Sequence, residues 1–206
     1  MGELAVLSTT GAVSLFAAPE TLDPLPFPQA KLHTQWPGTG LPGDPIFDAF
    51  FASQVQYQTD PIIFSKQNKH AYASLLDHIG EPVCPVTHSQ AGPYGRQIGD
   101  ARPELVAGIV AIEPGFSPFE TWTGPPYAPG YPTAFPETPY GLTTLPVTYA
   151  PPLPNDDRGA LVRANVLTPS ADLIPCILQA EPARQLNNLA KIPVLQIVGG
   201  APFQAP

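Results

Sequence analysis

The run VTHSQAGPYG, Val86 to Gly95, decides how this chain is read. A short apolar stretch, Val83 to Val86, leads into it, and Ser89 stands where that stretch must turn. Gln90 to Arg102 suits a helix: Pro93 falls in the first turn, where amide protons lack partners anyway, and Arg102 precedes Pro103. Val106 to Ile112, VAGIVAI, is a second apolar run with a β-branched bias. Strand, sharp turn, helix and strand make a βαβ unit of about thirty residues, with two buried parallel strands.

A serine on such a turn is strained and exposed, with its hydroxyl above the sheet and a helix N-terminus behind it. Small neighbours are needed because bulky side chains would clash across the turn. In THSQAG the position two after the serine is Ala91 and the position two before it is Thr87. In an open parallel sheet, functional groups gather at the carboxyl ends of strands. Glu113 ends the second run as Ser89 ends the first, so the two are expected at one sheet edge.

Composition narrows the partners. The chain has 206 residues, 43% of them hydrophobic, enough for one cored domain spanning 1–206. Nine basic against seventeen acidic residues give a net charge of −8, with no Lys/Arg cluster to neutralise phosphates, so nucleic acid is not an expected partner. No apolar run approaches the roughly 20 residues that span a bilayer, and a soluble protein without a membrane partner is expected. Residues 3–18 lack a basic leader and a continuous apolar stretch, so they do not read as a signal peptide, and the compartment stays open. Cys84, read as lying in a buried strand, and the distant Cys176 suggest two free thiols. Two cysteines and four scattered histidines offer no metal-ligand spacing, and no cofactor is implied.

Thirty prolines, about three times average usage, imply many irregular connections. Asp44-Pro45 and Asp60-Pro61 each pair an N-cap with proline at the first helical position. The first predicted helix carries the stripe Phe47, Phe50, Phe51 and Val55; the second carries Tyr72, Leu75, Leu76 and Ile79 and stops at Gly80. Leu4 to Leu7 and Val13 to Phe16 are candidate short strands. Residues 115–157 form a long Pro/Gly/Tyr-rich excursion with neither helical nor strand period, leaving directly after Glu113. A helix over Pro182 to Ala190 and a strand over Val194 to Val198 follow.

The segments KLHTQWPGTGLPGDPIFDAFFASQVQ, LLDHIGEPVCPVTHSQAGPYG, DARPELVAGIVAIEPG, PYGLTTLPVTY and LQAEPARQLNNLAKIPVLQIVGG resemble the α/β-hydrolase superfamily. They are most similar to an esterase-like subgroup whose nucleophile motif reads THSQGG and whose acid is the glutamate of an EPG. The resemblance implies an α/β fold: a partial α/β-hydrolase core, a mostly parallel sheet flanked by helices, with the Pro-rich excursion as a lid. It implies hydrolysis of a small-molecule carboxylic ester, with Ser89 as nucleophile, Glu113 as acid and the N–H of Gln90 as one oxyanion donor. Phe116, Phe119, Trp122 and Tyr127 of the excursion are the candidate substrate pocket.

In that subgroup the base is a histidine from a loop after the last core strands, and a second oxyanion donor comes from a loop before HTQWPG. Neither has a counterpart here, so the resemblance implies a chain truncated at both ends and impaired in turnover. His88 adjoins the nucleophile and is expected to point into the sheet; His70 and His78 lie on the preceding helix. His33 reads as a surface hydrogen-bonding residue before it reads as a substitute base. Pro85 would delete a ladder hydrogen bond if its strand were central. The alternative is a non-catalytic hydrolase remnant or binding protein, with PPLP, Pro151 to Pro154, as a polyproline II ligand.

Overall fold

A computed structural model describes residues 3–26, 28–115, 118–119, 138–166 and 176–199. The described residues fall into two compact units, 3–60 and 61–199.

In the first unit a two-residue strand, β1 (Leu4–Ala5), pairs antiparallel with β2 (Tyr57–Gln58). Helix α1 (Thr9–Ala12) follows, its N-terminus capped by the Ser8 hydroxyl, which accepts from the Gly11 amide at 3.0 Å. It continues as a π-helical turn over Val13–Ala17, where the sequence suggested a strand. The cap explains the difference. Once Ser8 starts a helix, its turns bring Ala12, Val13 and Ala17 into a buried cluster with Ala18 and Phe47. Helix α2 (Pro45–Ala52) is the one the Asp44-Pro45 pair predicts. Asp44 Oδ1 accepts from the amides of Ile46 and Phe47, while Oδ2 accepts from the Thr39 amide and hydroxyl. These bonds, the Thr39 amide foremost, hold the Asp44 carboxyl below the ordinary aspartate range. Phe47 is buried, with Phe50 and Phe51 packed against its cluster, whereas Val55 lies beyond the helix end and is exposed.

The second unit opens with α3 (Pro61–Ile79), which stops where expected: Gly80 has φ +73° and its amide bonds the Leu76 carbonyl. Its buried face is Ser65, Ala73 and Leu76, while Tyr72, Leu75 and Ile79 are exposed. The large apolar residues therefore do not form the buried stripe the sequence suggested. Small residues at 65 and 73 face inward, and only Leu76 reaches the cluster of Ile98, Val106, Ile109 and Ile192.

Strands β3 (Val86–His88), β4 (Ile109–Ile112) and β7 (Val194–Ile197) form a parallel sheet in the order β3-β4-β7. A parallel bridge between Val83 and Val106 extends the β3-β4 pairing backwards. Helix α4 (Gly92–Ala101) covers one face. Its glycines permit the close approach: a Cβ on Gly95 would meet Thr87 Cγ2 at 2.9 Å, and one on Gly99 would meet the side chains of Ile192 and Leu189 at 3.1 Å. Pro85 lies just before β3 and removes one donor on the side facing β4, while its carbonyl still accepts from the Val110 amide at 3.0 Å and the pairing resumes at once with Val86. The register aligns Val86, Val110 and Leu195 on the face opposite Thr87, with His88, Ile112 and Ile197 one step further. On that face Val86, Leu195 and Ile197 are 67%, 58% and 45% exposed. Cys84 is a free thiol and is exposed rather than buried.

The rest of this unit departs further from the sequence reading. Strands β5 (Arg163–Val166) and β6 (Cys176–Gln179) pair antiparallel, a unit the sequence did not announce. The helix expected over Pro182 to Ala190 is absent; only a 3₁₀ turn over Leu189–Lys191 forms. Tertiary bonds take the backbone instead. Gln185 exchanges both of its main-chain bonds with Ala150, and the Arg184 amide donates to Gln179 Oε1 at 2.6 Å. The Arg184 guanidinium donates to the carbonyls of Pro151 and Pro152, and Leu153 is buried, so PPLP is held by its own unit. Of the excursion 115–157, residues 116, 117 and 120–137 lie outside the described residues; the part after them is irregular apart from a 3₁₀ turn at Pro154–Asp156.

Candidate active site

Strands β3 and β4 run in parallel with His88 opposite Ile112, so the next residue of each, Ser89 and Glu113, leaves the same edge. Both turn sharply there. Ser89 has φ +52° and Glu113 has φ +43°, left-handed conformations that cost a non-glycine residue about 1–3 kcal/mol. Such strain persists only where the surroundings over-determine it. Here the Ser89 carbonyl accepts from the Gly92 amide, closing the 3₁₀ turn Ser89–Ala91, and from the Gly115 amide at 2.8 Å. The Ser89 turn and the EPG loop are thus tied main chain to main chain. Gly92 lets them close, since a Cβ there would meet Pro114 Cβ at 2.7 Å.

Glu113 is held from the other side by β7. Its amide donates to the Ile197 carbonyl at 2.8 Å, and its Oε1 accepts from the Gly199 amide. Oε2 is buried and has no hydrogen-bond partner among the described residues. A buried carboxylate oxygen without a donor is costly, roughly 1–3 kcal/mol or more for a charged group. The site can therefore accept an N–H or O–H at Oε2 with little loss elsewhere.

Ser89 is half-buried and Gln90, the residue after it, is exposed. Phe119 has φ +70° and is buried among Val147, Tyr149, Leu153 and Leu161, with the Arg163 guanidinium carbon 5.2 Å from its ring centre. Phe116, Trp122 and Tyr127 lie outside the described residues. His88, expected to point into the sheet, is exposed, because Thr87 takes the inward position of β3. His70 and His78 sit on exposed positions of α3. In the first unit His33 Nδ1 donates to Glu20 Oε2 at 2.9 Å. Among the described residues no histidine hydrogen-bonds Glu113.

A cavity of about 730 Å³ in the same unit is lined by Lys66, His70, Asp100, Arg102, Val147 and Leu153 among others, and includes neither Ser89 nor Glu113. Beside it Asp100, itself buried, accepts from the Thr148 amide at 3.0 Å, the Thr148 hydroxyl at 3.3 Å and the Asn188 side chain at 3.2 Å. Burial, reinforced by Asp100, pushes the Tyr149 phenol up to about 12; burial, reinforced by Tyr72, does the same for Tyr94. Burial also lowers the affinity of the Arg96 guanidinium for its proton. Among the described residues no three of His, Cys, Asp and Glu are grouped to hold a metal ion, and no helix is long and apolar enough to cross a membrane.

The sequence reading missed the backbone partners of the site, Gly115 and Gly199. The only signal for them was glycine directly after a strand-end motif, in EPG and in VGG.

Over 182 residues the chain is 48% identical to a fungal protein, the probable secreted lipase phiG of Fungal sp. (strain ATCC 74256). The match covers 87% of this chain and 47% of that protein, so the chain spans about half the length of the curated relative it matches. No family model and no solved structure matches the chain. Similarity to a lipase over most of the chain, with a parallel sheet and a covering helix beneath Ser89 and Glu113, supports a hydrolase-like fold.

Proposed function

We propose that the second unit carries the nucleophile and the acid of a carboxylic ester hydrolase, Ser89 and Glu113. The observation that carries the reading is the pair of left-handed residues leaving one edge of neighbouring parallel strands, one a serine and the other a glutamate with an empty buried oxygen. In this reading Ser89 attacks the acyl carbon of a small-molecule ester. A base takes the hydroxyl proton and returns it to the departing alkoxide. Glu113 Oε2 holds that base in the correct tautomer and stabilises its cationic form, and the Gln90 amide helps bind the oxyanion. Phe116, Trp122 and Tyr127 are the candidates for an apolar wall against the acyl or alcohol part, whereas Phe119 is taken up by its own buried cluster. Secretion, like that named for the fungal relative, is part of the same proposal.

A serine hydroxyl is a poor nucleophile without a neighbouring base. With no histidine on Glu113 among the described residues, this chain by itself turns over esters slowly. Free imidazole supplies the test. A fluorophosphonate should label Ser89 slowly, imidazole should accelerate the labelling, and Ser89→Ala should remove it. Absence of any labelling at Ser89, with or without imidazole, refutes the proposal. Brisk ester hydrolysis without imidazole refutes the impairment, and His33→Ala would then show whether that residue is the base.

A further inference from the structure

Building on the reading of Glu113 as the acid, we infer that Gly199 is a positioning residue that decides which carboxylate oxygen Glu113 offers to the base. Two bonds from the end of β7 clasp Glu113: its own amide donates to the Ile197 carbonyl, and the Gly199 amide donates to Oε1. The two contacts lie two residues apart on one extended segment, so they fix the backbone and the carboxylate together. Oε1 is thereby engaged, and Oε2 is left buried and without a donor.

Glycine at 199 serves the carboxylate and not the chain direction. Its φ lies outside the left-handed range, so the backbone there would accept other residues. What a side chain would meet there is the end of the Glu113 side chain, which has to give way. A Cβ on Gly199 would stand 2.7 Å from Glu113 Oε1, a separation that real Cβ atoms essentially never show. Any side chain at 199 must push the carboxylate away from the Gly199 amide and rotate Oε2 out of its place. Gly80 makes the contrast: it has φ +73° and no atom within 4 Å of an added Cβ, so it is glycine for its backbone alone.

The test combines a spectroscopic and a kinetic readout on the full chain. In ¹⁵N-labelled protein, Glu113→Gln should move the Gly199 amide proton upfield more than any other glycine amide; an unmoved resonance overturns the inference. This measurement does not depend on any variant at 199 folding. In imidazole-assisted fluorophosphonate labelling, Gly199→Ala should weaken the dependence on imidazole about tenfold, comparable to losing a hydrogen bond to a charged group. Wild-type imidazole dependence in a folded Gly199→Ala protein overturns the inference. A failure of the catalytic reading looks different: Glu113→Gln would then leave the imidazole effect intact, whatever happens at Gly199.

Discussion

Asp100 and Glu113 are carboxylates of the same compact unit, at the ends of consecutive elements, and they use their oxygens in opposite ways. Asp100 has both oxygens engaged: they accept from the Thr148 amide, the Thr148 hydroxyl and the Asn188 side chain, and its carbonyl takes a further bond from Asn188. It ties α4 to two irregular segments. Glu113 has one oxygen engaged and one buried and empty. A carboxylate that serves the fold recovers its lost hydration in full, whereas one left half-satisfied in a strained turn keeps capacity for a donor from elsewhere.

Asp100→Ala should cost about 2 kcal/mol in urea or thermal unfolding, because the buried carboxylate's bonds from the Thr148 amide and the half-buried Asn188 side chain are lost. It should leave the rate of Ser89 labelling in the surviving folded protein unchanged; a large fall would show that Asp100 serves the site after all. Tyr149→Phe, on the Asp100 side of the unit, removes a 2.6 Å bond to the Tyr140 carbonyl and should cost about 1 kcal/mol by the same measurement.

Alkaline unfolding sharpens the same side. Tyr94 and Tyr149 have folded-state values raised to about 12 from 10.0, so the folded protein holds their protons more tightly than the unfolded chain. Their contribution is fully present below pH 10 and is lost as the pH rises through 12. Melting temperature should therefore fall across that window, less steeply in Tyr149→Phe. Glu113→Gln should have the smallest effect on stability, about 1 kcal/mol or less, yet remove the imidazole acceleration of Ser89 labelling. A loss of stability as large as that of Asp100→Ala would erase the distinction between the two carboxylates.

How legible each region was follows from how local its determinants are. Asp44-Pro45, Gly80 and the Ser89 turn are specified within about four residues, by caps and by turn chemistry, and all three stand where the sequence puts them. The shared edge of Ser89 and Glu113 was also legible, because a right-handed parallel connection of that length leaves two short apolar strands little choice. Pro182 to Ala190 failed for the opposite reason. Its apolar spacing suits a helix, but Gln185 pairs with Ala150 and Arg184 with Gln179, partners that no local window contains. The inward face of α3 was misjudged because Ser65 and Ala73 are buried through their small size, which a hydrophobicity pattern does not register. The main-chain contacts around Ser89 and Glu113 were not legible: Gly115 and Gly199 act through amides, which every residue type but proline carries.

The outward face of the sheet, where Val86, Leu195 and Ile197 meet water, bears on the heat capacity of unfolding. That quantity measures apolar surface newly hydrated when the chain opens, and side chains already hydrated in the folded state contribute little to it. Calorimetry should therefore give an increment below the roughly 12–15 cal/mol/K per residue of ordinary domains. The stability curve would be correspondingly flat, with melting temperature a poor guide to how firmly the fold is held at ambient temperature.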